Sequence, residues 1–127
     1  MKYYSRRSID DERLALKHGA LVARGGPLAC CDLCGRYLDG SAEYHEMIAR
    51  SQTNISSLQR ELCYDPKVCA LLCHNCHATL HDRSPGEAKP IWDRLYQLYG
   101  EHEVKDHIRA IRAAGKTPLT AHLPEDL

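Results

Sequence analysis

The sequence predicts an α+β domain in which helices flank a small strand-containing core braced by metal. Three observations carry this. Two C-x-x-C knuckles, Cys31-x-x-Cys34 and Cys73-x-x-Cys76, stand far apart in a chain of 127 residues. Short apolar runs of strand character lie between them. Helical patterns with recognisable stops occupy both ends. At this length one domain spanning 1–127 is expected, with a modest core that a bound ion can reinforce.

The elements follow in order. Residues 9–25 read as an N-terminal helix, with Ile9, Leu14, Leu16, Leu21 and Val22 around its turns and Gly25-Gly26-Pro27 as its stop. Asp10, Asp11 and Glu12 suit its N-terminus, where the helix dipole favours negative charge. A core over 28–83 opens on "CCDLCG", a metal knuckle in which Gly35 lets the backbone turn sharply. "SAEYHEMIAR" is expected to contain a strand, Ser57 to Leu62 a short helix, and "KVCALL" a strand entering the second knuckle. From Cys76 to about Arg83 a helix is favoured, ended by Ser84-Pro85-Gly86. Residues 90–115 hold two more helices. Pro90 opens the first and Gly100 closes it; Val104, Ile108 and Ile111 form an apolar stripe on the second, which Gly115 closes. The tail 116–127 is expected to be extended.

Phenylalanine is absent, so the aromatic part of the core rests on Trp92 and the tyrosines. The N-terminal stretch lacks the apolar run of a signal peptide, and no segment has the roughly 20 apolar residues of a membrane span. An intracellular, cytoplasmic chain with no membrane partner is expected. There disulfides are disfavoured, and clustered cysteines point to metal. Net charge is zero, with 17 basic and 17 acidic residues. This argues against a strongly basic DNA-coating protein.

Four thiolates from two knuckles suit a closed tetrahedral Zn²⁺ site at Cys31, Cys34, Cys73 and Cys76. Unligated thiols in a small core are the bland alternative, and a redox C-x-x-C lacks its βαβ setting. Cys30, Cys63 and Cys69 are left over, with Cys30 able to replace Cys31 at poorer spacing. His77 and His81 then need their own explanation. A two-Cys, two-His finger is excluded because about a dozen residues must separate its pairs, whereas His77 adjoins Cys76. Positions i and i+4 of a helix share a face, so His77 and His81 can converge on a second ion. His45, flanked by Glu43 and Glu46, is the best third ligand; surface or core histidines are the alternative.

Together, C-x-x-C, "YHEMIAR" and "LLCHNCHATLH" resemble the zinc-knuckle branch of the HNH endonucleases, over about Cys31 to Arg83. The resemblance implies a ββα-metal core, two antiparallel strands and a helix around a catalytic ion, clamped by structural zinc. It implies His45, His77 and His81 as ligands of a catalytic divalent metal (Mg²⁺, Mn²⁺, Ni²⁺ or Zn²⁺) and DNA as substrate. Where the family places a histidine base this chain has Glu46, and the usual asparagine is Val68. The H-E form with Arg50 resembles a variant among phage and prophage HNH-like proteins, which would set a phage-encoded chain in host cytoplasm.

Glu46 is the first choice of base, although its reference pKa lies roughly two units below that of histidine; alternatively it is a metal ligand. Arg50 and Arg60 are the nearer candidates for a substrate phosphate. Lys105, Arg109, Arg112 and Lys116 share one helix face that could meet phosphates or simply be solvated. His74 is a spare imidazole. The leading expectation is thus a metal-dependent HNH-like endonuclease. The rivals are a non-catalytic zinc module on the same scaffold, binding nucleic acid or a protein partner, and a purely structural zinc protein. Oligomeric state, homodimer included, is not encoded legibly.

Overall fold

Two four-residue strands hold the centre of the molecule. In the computed structural model, which describes residues 6–48, 57–82, 85–114 and 123–124, β1 (Glu43–Glu46) pairs antiparallel with β2 (Cys69–Leu72). The register places Glu43 opposite Leu72 and His45 opposite Ala70. Met47 N–H donates to the Val68 carbonyl at 2.9 Å and extends the pairing by one step. All four residues of β2 are fully buried, which explains why "CALL" is apolar throughout instead of alternating.

Helix α1 (Arg6–Ala23) starts earlier than the pattern from Ile9 suggests. Asp10, Asp11 and Glu12 therefore fall beyond its first turn, which holds no acidic residue. Leu14 and Val22 are exposed, and Ala20 is buried instead. Near the end of the helix Ala20 enters the core and Leu21, half-buried, packs against it. Gly25, at φ 101° in the left-handed region, turns the chain into a 3₁₀ turn at Gly26–Leu28.

The first knuckle is drawn tight by Cys31 N–H to Arg36 O at 2.7 Å and Gly35 N–H to Cys31 O at 3.0 Å. Gly35 takes φ 76°, as its place after the second cysteine requires. Beyond β1, helix α2 (Ser57–Cys63) leads to Asp65, whose side chain caps a 3₁₀ turn at Pro66–Val68 by accepting from Lys67 N. Val68 is buried there at the entrance to β2.

Helix α3 (His74–Thr79) begins two residues before Cys76, because the Cys73 sulfur acts as its N-cap and accepts from Cys76 N. A 3₁₀ turn at Leu80–Asp82 continues it. After a 3₁₀ turn at Pro85–Ala88 come α4 (Lys89–Tyr99), with Pro90 in its first turn, and α5 (Glu101–Ala113). Gly100 joins them at φ 93°, ψ 131°. The expected stripe Val104, Ile108 and Ile111 is fully buried, along with Ile91, Trp92 and Leu95 from α4.

Polar ties pin α5 to α2. Gln59 donates from Nε2 to Ile111 O at 3.0 Å, and His107 from Nε2 to Leu62 O at 2.7 Å. Among the described residues no helix is long and apolar enough to cross a membrane. Gly115, Lys116 and most of the expected tail lie outside them.

Candidate metal centre

Residues 31, 34, 73 and 76 come together as their spacing predicts. One ligand atom from each of Cys31, Cys34, Cys73 and Cys76 lies within 4.8 Å of the others, and the group could hold a metal ion. The Cys34 and Cys73 sulfurs are 3.9 Å apart. A tetrahedral zinc with Zn–S near 2.3 Å sets sulfurs about 3.8 Å apart, so the donor set fits such an ion. Cys31, Cys73 and Cys76 are buried and Cys34 is exposed.

The environment tunes the three buried thiols differently. The backbone N–H of Cys76 pulls the Cys73 thiol down to about 7. Burial pushes Cys31 up, and burial together with the Cys73 and Cys34 sulfurs pushes Cys76 up. Sulfurs this close repel one another as thiolates, and a divalent cation offsets that repulsion as it displaces their protons.

One carboxylate positions the first knuckle. Asp32 N–H donates to Leu71 O at 2.9 Å, and Leu71 N–H donates back to Asp32 Oδ2 at 2.8 Å. Asp32 thus takes the place of a neighbouring strand along β2. Arg24 grips the same carboxylate through Nε and a terminal nitrogen at 2.9 and 3.0 Å, and donates to Ala20 O at 2.9 Å. The knuckle is therefore held at Leu71, two residues before Cys73. Nothing in the chain's local patterns marks this pair. Its only hint is an acid inside C-x-x-C and an arginine at a helix end.

Beside this centre the expected histidines divide. His45 on β1 and His77 on α3 face each other, ring centroids 5.0 Å apart in an edge arrangement at 66°. His81 belongs by its backbone to the 3₁₀ turn Leu80–Asp82, but its side chain lies outside the described residues, as do Arg50 and the side chain of Arg60. Glu43, which the sequence presents only as a neighbour of His45, joins the histidines. Its Oε1 lies 2.7 Å from His77 Nδ1 and its Oε2 2.8 Å from His74 Nδ1. These hydrogen bonds, His77 first and then His74, hold the Glu43 carboxyl below its usual range.

Glu46, expected beside His45 as base or ligand, leaves β1 on the opposite face. Successive strand residues point to opposite faces, so Glu43 and His45 share one face while Tyr44 and Glu46 share the other. On that other face Glu46 pairs with Arg13 at 3.6 Å. Arg13 also donates to Tyr64 Oη at 2.6 Å, and Tyr44 Oη donates to Tyr64 O at 2.6 Å. The period of two would have picked Glu43 over Glu46, given which face meets α3.

The basic face of α5 has partners of its own. Lys105 Nζ meets Glu101 at 2.8 Å and lies over the Tyr96 ring; Arg109 meets Asp106 at 2.9 Å. Arg112 is exposed near the end of the helix. Comparison of the chain with protein-family models, curated proteins and solved structures gives no match.

Proposed function

We propose that the chain is a small metal-dependent nuclease acting on DNA, of the HNH-like type its motifs resemble, with zinc in the four-cysteine centre. The observation that carries this is the His45–His77 pair, set across β1 and α3 at 5.0 Å, directly beside the cysteine cluster. A second divalent cation there, with His81 as a further ligand, would polarise a phosphoryl oxygen and stabilise the leaving oxygen of a phosphodiester.

The chain's own part is to supply and hold donors. His45 comes from a strand whose ladder is closed on β2. His77 comes from a helix whose first turn is tied to the knuckle by its Cys73 cap. Donors fixed this way keep their geometry without reorganising when substrate arrives. Arg50, Arg60 and Arg112 are the cations proposed to meet DNA phosphates.

The test is a nicking assay with Mg²⁺, Mn²⁺, Ni²⁺ or Zn²⁺, comparing wild type with His45→Ala and His77→Ala. Activity in the wild type and its loss in both variants supports the proposal. Equal activity in all three points to a contaminating nuclease and removes it.

A second reading is a non-catalytic zinc module that binds nucleic acid or protein. It draws on Val68 buried where the family places asparagine, and on Glu46 turned toward Arg13. Metal analysis separates the two. One tightly held zinc per chain, unchanged by His77→Ala and with no second ion taken up, favours the module.

A further inference from the structure

On the reading that a cation sits between His45 and His77, a single carboxylate decides which nitrogen His77 offers to it. Glu43 precedes His45 by two on β1, so both side chains leave the strand on the face that meets α3. Its two oxygens reach two imidazoles of that helix, both at Nδ1, at 2.7 Å for His77 and 2.8 Å for His74. An ionised carboxylate only accepts. Each contact therefore needs the proton on Nδ1. A neutral imidazole protonated there carries its free lone pair on Nε2.

The His74 side chain is 84% exposed, whereas Glu43 and His77 are half-buried, and two features tie the three together. Glu43 is anchored at both oxygens, and one anchor, His74, belongs to the first turn of α3, between Cys73 and Cys76. The other, His77, has the His45 ring against its own, and its Nε2 makes no hydrogen bond among the described residues. We infer that Glu43 is a positioning residue that fixes His77 as the Nδ1–H tautomer and leaves Nε2 as the atom open to a cation. Carboxylates placed behind metal-binding histidines in this way orient the ring and raise its basicity.

The experiment uses the full chain with zinc in the cysteine centre, above about pH 8, where imidazoles of reference pKa about 6.5 are neutral. Two-dimensional ¹⁵N–¹H multiple-bond spectra report the tautomer of His77, assigned by comparison with His77→Gln. Mn²⁺ titration followed by the free-ion EPR signal reports the second cation.

The expected wild-type result is protonated Nδ1 and bare Nε2. In Glu43→Ala the ring should shift toward the Nε2–H tautomer, and Mn²⁺ affinity should fall about 10–100-fold, with zinc still one per chain. Glu43→Gln, whose amide oxygen can still accept from Nδ1–H, should restore most of the tautomer preference. An Nε2–H ring in the wild type, or a tautomer unchanged in Glu43→Ala, overturns the inference. A wild type with the Nδ1–H tautomer and no Mn²⁺ uptake removes the cation site while the positioning role of Glu43 stands.

Discussion

Arg24 and Asp32 meet through two parallel hydrogen bonds of 2.9 and 3.0 Å, and neither side chain reaches solvent. Burial opposes the charge on Arg24, but Asp32, through hydrogen bonds and charge, and after it Tyr99 together outweigh this and raise the guanidinium pKa. Breaking such a pair strands a buried charge. Arg24→Ala should cost about 3–5 kcal/mol. Asp32→Ala should cost at least as much, because Leu71 N–H also loses its acceptor. Urea unfolding of the zinc-loaded protein measures both, and a loss below about 1 kcal/mol in either would show that the pair is dispensable.

The cysteines sort into two classes by position. Cys34→Ser should remove zinc from the chain and lower the unfolding midpoint sharply, since metal binding and folding are coupled in such sites. Cys30→Ser, at an exposed position outside the cluster, should retain one zinc. Metal analysis after gel filtration distinguishes them, and zinc retained by Cys34→Ser would place the ion elsewhere.

Glu46 pairs with Arg13 at 3.6 Å, its side chain 16% exposed and that of Arg13 44%. An ion pair of that length with one end open to water contributes little, about 0–1 kcal/mol. Glu46→Gln should therefore leave stability nearly unchanged, and it should leave metal stoichiometry and DNA nicking intact. If hydrolysis vanished with the metal content preserved, Glu46 would be the base after all, reaching the site by a route other than the face of β1.

The four-cysteine centre was legible in the sequence because a C-x-x-C knuckle is a local pattern, complete within four residues. Strand β2 was legible as an apolar run, and the α4–α5 joint as proline and glycine punctuation. What escaped depends on which face of an element meets which neighbour. Glu43 and Glu46 are equivalent in sequence until α3 is placed over one face of β1. Arg24 and Asp32 are separated by a turn whose path sequence patterns do not trace. The start of α3 at His74 was missed because its cap is a sulfur, outside the usual oxygen-bearing cap residues.

Gly100 serves two helices at once, closing α4 and opening α5 at φ 93°, ψ 131°. A Cβ there would lie 3.6 Å from Glu103 Cγ, ordinary contact, so the cost of substitution is one of backbone and not of space. Gly100→Ala should destabilise by about 1–3 kcal/mol, read as a lower thermal midpoint with the zinc content unchanged. A neutral outcome would mean that the joint relaxes to another conformation.

Cys34 and Cys73, whose sulfurs approach to 3.9 Å, are 39 positions apart. An ion bound between the knuckles would cross-link the chain as a disulfide does, and the loop it closes contains β1, α2 and β2. Treated as a polymer ring of that size, such a cross-link denies the unfolded chain about 4 kcal/mol of conformational freedom. The metal would then act at a distance along the chain. By shrinking the ensemble of open conformations, it would favour the pairing of β1 with β2, and with it the approach of His45 to His77, without touching any of these residues.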